Sequence, residues 1–340
     1  MEDFRKRLSD GMLNVFSQDY RQRTALFKLE SFEATAEEFL SVLQLYQAVG
    51  GDLNQMDHQG NSLLMLASND ALCVALVWAG ASTYYFRNRF RKRALGMGAA
   101  NGCHRMMDAI MERDSPDQEY VEGSLHSAAL QLSYDTGARD MSGIHILVVE
   151  HGACVNRWGT LARCVDRNPF VVSALISLGA DRTMLVWDSQ RGLNNTALHR
   201  VAECQNVDVF EALVLNLPPE QLDVRDEHGS TPVMTLLREH IASEDYLRQR
   251  FDWLMGRGAS CPPFDDNGRR VLETPWGKKQ PFRTLIAARV REENWVKRRG
   301  VILLRMRGVE VGDGGEDDYL LLEVASLVEF GVFKHIVGYL

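Results

Sequence analysis

Apolar positions along the chain recur in short runs, and most of the runs end in glycine. "ALCVALVWAG", "HILVVEHG", "VVSALISLG" and "DWLMGRG" finish at Gly80, Gly152, Gly179 and Gly258. Within each run the apolar residues follow the three- and four-residue spacing of a helix face. A glycine directly after such a face supplies the left-handed residue that commonly ends a helix. Gly80 and Gly152 are 72 residues apart, two periods of 36, and Gly179 and Gly258 are 79 apart. The 27 residues from Gly152 to Gly179 make a shortened unit.

A second pattern falls between these marks, a turn leading into another helix. It appears as "DHQGNSLLMLA" (57–67), "GSLHSAA" (123–129), "NTALHRVA" (195–202) and "DEHGSTPVMTLL" (226–237). Thr231 is a favourable N-cap, and Pro232 fits the first helical turn. The segment "RALGMGAANGCHRMMDAIME" (93–112) lacks the opening turn. It keeps the two helices, with Gly102 closing the first and Met106, Met107 and Ile110 lining the second. Small residues such as Ala128, Ala129 and Ala202 let the inner helices of adjacent units approach closely. The pattern predicts an all-α solenoid of helix-turn-helix units. A single unit cannot bury its apolar face, so stacking neighbours makes the core.

Both ends predict helical caps. Residues 1–34 carry an amphipathic stretch with Phe4, Leu8, Leu13 and Phe16, and Thr35-Ala36-Glu37-Glu38 forms a capping box before Phe39, Leu40, Leu43 and Tyr46. After Ser260 the composition changes. Residues 261–318 combine Pro/Gly-rich loops with a basic helix and an acidic, Gly-rich link, and 319–340 predict a C-terminal helical segment.

At these residues the chain resembles the ankyrin-repeat proteins, whose unit reads D-x-x-G-x-T-P-L-H-x-A-A, then a second helix, then L-L-x-x-G-A-D-x-N. The best matches are "DEHGSTPV", "NTALHRVA", "HGACVN" and "GGDLNQMD". The resemblance covers about six or seven degenerate units over roughly residues 35–260. Inserts interrupt it at "QLSYDTGARDMSG" (131–143) and at "DSQRGLNN". The tail, with "NWVKRRGVILL" and "VFKHIVGYL", is similar to the tails of ankyrin proteins predicted in unicellular algae. The resemblance implies a protein-binding array with a groove formed by inner helices and projecting turns.

Composition narrows the function. A net charge of −8 over 340 residues argues against general affinity for nucleic acid. Two basic runs, 87–93 and 278–307, are read as solvated faces or as a match to the acidic 310–318 loop. The longest apolar stretch, residues 71–81, is far short of the roughly 20 residues a membrane helix needs. No secretory signal follows Met1. The six cysteines form no CxxC pair, which suits reduced thiols of an intracellular protein. The cytoplasm is the expected compartment, with the nucleus as the alternative.

The stretch "NTALHRVAEC" carries residue types that can do chemistry as well as the letters of the repeat. His199, Glu203 and Cys204 lie within six residues, with His199 and Glu203 on one helix face. A metal site needs three or four converging ligands, and no H-E-x-x-H or paired CxxC accompanies them. The resemblance instead makes His199 a structural pin, its ring hydrogen-bonded to the backbone or to the Thr side chain of its own turn. Glycines in "GMGAANG" (96–102) follow no strand, so they imply close helix packing rather than a dinucleotide fingerprint. No metal, cofactor or catalytic residue is expected.

The residues expected to meet a protein partner lie at the turn tips: Tyr84, Tyr85, Arg87, Arg157, Trp158, Trp187, Arg225 and His228. Arg200 and Glu203, pointing off an inner helix, join them. Tyr, Trp and Arg dominate interface hot spots because they bury large area and keep polar handles. The expected function is an intracellular scaffold or adaptor. Alternatives are a ubiquitin-ligase substrate adaptor docking through 319–340, a structural subunit of a larger assembly, or an enzyme with its site in 261–318, where Asp265, Asp266 and Trp276 fall. Partner identity and oligomeric state stay open.

Overall fold

The structure is a computed structural model. It describes residues 1–83, 92–135, 137–165, 168–188, 193–203, 206–215, 217–238, 244–261, 271–276, 278, 283–284 and 286–288. The chain divides into two compact units, 1–215 and 216–340, so the repeat array read from the sequence spans both.

The first unit opens with α1 (Glu2–Ser9), a 3-10 turn over Ala25–Ser31 and α2 (Ala36–Ala48). α2 begins on the expected capping box: the Glu38 amide donates to Thr35 Oγ1 at 3.3 Å, and the Thr35 amide donates to Glu38 Oε2 at 2.8 Å. Helix pairs then repeat. α3 (Leu63–Leu66) precedes α4 (Asp70–Trp78), α5 (Ala94–Asn101) precedes α6 (His104–Asp114), and α7 (Gln118–Tyr134) precedes α8 (Ser142–Val149). α9 (Thr160–Cys164) with α10 (Pro169–Ser177) and α11 (Ala197–Glu203) with α12 (Val207–Val214) complete the unit. The first helices of the pairs pack in a row, α3 through α11, while α2, α4 and α6 pack one on the next, as do α8, α10 and α12. This is the all-α repeat solenoid the sequence predicts.

Burial follows the helical spacing. Leu72 and Leu76, Met106 and Ile110, Val171 and Leu175, and Val209 and Leu213 are all fully buried. Each such side chain contributes about 1.5–3 kcal/mol by leaving water. Glycine sets how closely the helices pack. A Cβ on Gly96 would stand 2.9 Å from the Ser124 carbonyl oxygen, and one on Gly143 would overlap the Ala99 carbonyl. The "GMGAANG" stretch is therefore a packing surface.

Hydrogen bonds between consecutive units recur at equivalent positions. Asn54 Oδ1 accepts from the Ser82 amide at 2.7 Å, and Asn156 Oδ1 accepts from the Asp181 amide at 2.7 Å. In the intervening unit Gln118 Nε2 donates to the Gly152 carbonyl at 2.7 Å. Asn54 and Asn156, each closing a glycine motif, thus tie their turns to the backbone just beyond the next Gly-Ala. Asn168, fully buried, caps α10 through the Phe170 amide and donates to the carbonyls of Leu132, Asp135 and Ala138.

The structure departs from the sequence reading at the N-terminus, where α1 ends at Ser9 and leaves Phe16 exposed, and in two places further along. "GSLHSAA" does not open a helix, because α7 has already started at Gln118 on the Asp117 cap, which accepts from the Tyr120 amide at 2.7 Å. Tyr120 and Val121 are buried there, and no proline intervenes, so helix runs through Gly123 in place of the turn. The second departure is a short antiparallel hairpin, β1 (Val186–Asp188) with β2 (Leu193–Asn195), in register Val186 to Asn195 and Trp187 to Asn194.

The second unit contains α13 (Pro219–Leu222), α14 (Pro232–Arg238), α15 (Glu244–Gly256) and a 3-10 turn over Val271–Glu273. Thr231 Oγ1 accepts from the Met234 amide at 3.4 Å at the start of α14. Asp226 Oδ1 accepts from the amides of His228 and Ser230, as Asp57 Oδ1 in the first unit accepts from those of Gln59 and Asn61. This shared geometry explains the D-x-x-G spelling: the carboxylate closes the turn, and Gly60 and Gly229 take the left-handed residue at φ 80° and 71°.

Candidate protein-recognition surface

Trp158 sits at the centre of the tight turn Arg157–Gly159, with φ 64° and ψ 4°. A non-glycine residue in that region is strained, and bulky residues reach it only when the surroundings enforce it. Here Gly159 (φ +61°) packs directly on the Val186 side chain, leaving no room for a Cβ. The turn is thereby locked against the β1 strand, and the Trp158 ring is left 49% exposed. Because strand side chains alternate, Trp187 leaves β1 on the face opposite Val186, and it is 52% exposed. Leu185 and Met184, just before the strand, are exposed too.

Two arginines frame Trp158. The Arg157 guanidinium lies 5.6 Å from the Trp158 ring centre and forms a 2.6 Å ion pair with Glu122 on α7. Glu122 is only 4% exposed, and Gln118 Nε2 reaches its other carboxylate oxygen at 3.4 Å. A buried carboxylate left alone would be costly, so this pair fixes Arg157 and the turn above it. Arg163, exposed on α9, donates through Nε to the Trp158 carbonyl at 3.3 Å. It has no carboxylate partner among the described residues.

The other expected contact residues fall in different settings. Tyr84, Tyr85 and Arg87 lie outside the described residues, as does the side chain of Glu203. Arg200 is half-buried on α11. Arg225 and His228 belong to the second unit, where Arg225 donates to the Gly229 carbonyl at 3.2 Å and His228 forms part of the Asp226 turn. The structure sets Arg157 beside the Trp158 ring and packs their turn, through Gly159, on Val186 of the strand that also carries Trp187. It adds Glu122 and Arg163, which the sequence reading had not singled out. Arg163 could have been noticed: in "GTLARC" it stands three residues after Thr160, where "NTALHR" has the pin His199. A cation in place of a buried ring must turn outward.

The suspected "NTALHRVAEC" cluster is a structural turn. His199 is 1% exposed, and its Nδ1 lies 2.8 Å from Thr196 Oγ1. Cys204 lies outside the described residues. Cys73 and Cys103 are buried together, and their mutual hydrogen bond and burial push the Cys73 thiol up, holding it protonated. Trp276 of the 261–318 region is buried, while Asp265 and Asp266 lie outside the described residues. Among the described residues no three or more His, Cys, Asp or Glu side chains gather as a metal site, and no helix is long and apolar enough to cross a membrane.

No protein family and no curated protein matches the chain. Among solved structures, the chain is similar to the human ASB11 ankyrin repeat domain at 19% identity and a TM-score of 0.44. That match covers 67% of this chain and 98% of the other. The expected likeness of the tail to algal ankyrin proteins finds no support in it, and residues 289–340 lie outside the described part.

Proposed function

We propose that the chain is a protein-recognition module that grips a partner through the turns of its helical stack, centred on Trp158 and Trp187. One observation carries the reading: Trp158 is held half-exposed in a strained left-handed turn that Gly159 locks onto Val186. A monomer gains nothing by exposing the indole rings of Trp158 and Trp187, whereas an interface gains its typical anchors. Arg200 on α11 extends the surface along the inner helices. The sequence reading adds Tyr84, Tyr85 and Arg87, and separately Arg225 and His228 of the second unit, as further candidate contact residues. Quantitative affinity capture from native extract, with the wild-type chain beside a Trp158→Ala/Trp187→Ala variant, tests this. Selective loss of one or more captured proteins supports the reading, and an unchanged set contradicts it.

A further inference from the structure

The two arginines at the Trp158 turn are not equivalent, and the difference indicates what the turn receives. Arg157 is compensated within the fold by the buried Glu122 at 2.6 Å. Arg163 is exposed and bonds the Trp158 carbonyl through Nε, and among the described residues no carboxylate pairs with the rest of its guanidinium. Among the described residues, the charged or titratable groups tied to it are His126 on α7, which feels its charge, and Arg157 in the turn it bonds, itself paired with Glu122. Glu122 is spent on Arg157, and His126 is held neutral, with its pKa lowered to about 4 by burial and by Arg163. The turn is thus locally cationic in a chain whose net charge is −8.

We propose that the Trp158 turn receives an acidic segment of a partner protein, one carboxylate pairing with Arg163 while an adjacent apolar side chain rests on the Trp158 ring. Arg157 positions the ring and does not itself bind the carboxylate. The geometry favours a carboxylate, because a guanidinium edge offers two parallel donors that match it. A half-exposed indole beside that edge takes the apolar neighbour. This deepens the proposed protein-recognition role and rests on it.

The test uses the full chain and labelled peptides of repeating Glu-Pro-Leu, with Gln-Pro-Leu and Lys-Pro-Leu counterparts and oligothymidylate as controls, read by fluorescence anisotropy. The proposal expects the Glu peptide to bind about tenfold tighter than the Gln peptide, with the preference falling as salt rises. Arg163→Gln removes the preference and leaves Gln-peptide binding intact, and Arg163→Lys restores part of it. Trp158→Ala weakens both peptides. Arg163 is exposed, so its variants should melt with the wild type, and melting curves verify that. Equal affinity for the Glu and Gln peptides overturns the proposal, as do tighter binding of the Lys peptide or oligothymidylate, a preference that survives Arg163→Gln, or no binding at all. If the acid preference is absent while Trp158→Ala still abolishes Gln-peptide binding, recognition at the turn stands and only its acidic character falls.

Discussion

The ring of His126 on α7 meets the hydroxyl of Thr160, the first residue of α9, at 3.0 Å. One unit's inner helix is therefore pinned to the opening of the next, whereas His199 bonds the Thr of its own turn at 2.8 Å. The same Thr160 hydroxyl donates to the Arg157 carbonyl at 3.1 Å, so the pin reaches the turn that carries Trp158.

This pin has a pH signature. Burial first, then the Arg163 charge, lowers the His126 pKa to about 4, against roughly 6.5 in an unfolded chain. The folded state thus resists a proton that the unfolded state accepts. The stabilisation is present above the unfolded value and is lost as pH falls from there through about 4. Between neutral pH and pH about 5 the chain should lose on the order of 1–2 kcal/mol through this group. Urea unfolding of the wild type and His126→Gln across that range measures it: the gap between them should narrow on acidification, and a constant gap would refute the assignment.

Asn168 is the most heavily used buried side chain between units. Asn168→Ala removes the α10 cap and the amide donor to the carbonyls of Leu132, Asp135 and Ala138, the first two of which keep a backbone donor. A loss of about 2–4 kcal/mol in chemical denaturation is expected. Asn168→Asp should cost as much or more, because the new oxygen faces carbonyls where a donor stood.

Close helix packing at Gly143 gives a sharper contrast. Gly143→Ala places its Cβ on the backbone of Ala99, which cannot step aside, and should destabilise by about 2 kcal/mol or more. Gly123→Ala, on α7 with nothing near its Cβ, should instead be neutral or stabilising by up to about 1 kcal/mol. Thermal melts of the pair test both signs at once.

The lock on the Trp158 turn is testable by a double-mutant cycle. Gly159→Ala forces a Cβ into Val186 and a side chain into φ +61°, costing about 1–3 kcal/mol. Val186→Ala in the same chain should recover the steric part and leave the backbone part. If the two changes are simply additive, the turn is not held by that contact.

Much of this fold was legible before any coordinates. Glycines that follow apolar runs, such as Gly80 and Gly179, end helices at φ 95° and 88°, and the Thr35–Glu38 box caps α2 because both signals are local. The α7 extension was not legible, since Tyr120 and Val121 become core only when neighbouring helices cover them. Glu122 was the hardest to foresee. A Glu on a helix ordinarily faces water, and only the turn from the next unit brings Arg157 over it. Trp158 and Trp187 were chosen by residue type and turn position, but what joins their turns, Gly159 against Val186, is a contact between segments that no spacing announces.

The central claim is that partners are met at the Trp158 and Trp187 turns. Its most direct measurement places a photo-cross-linking amino acid at Trp187, in one chain with Trp158 intact and in another with Trp158→Ala, beside a control at exposed Trp78 on α4. Irradiation in native extract should yield discrete cross-linked species from position 187 that disappear with Trp158→Ala and are absent from position 78. No cross-link at 187, or one indifferent to Trp158 and equally strong at 78, would contradict the claim.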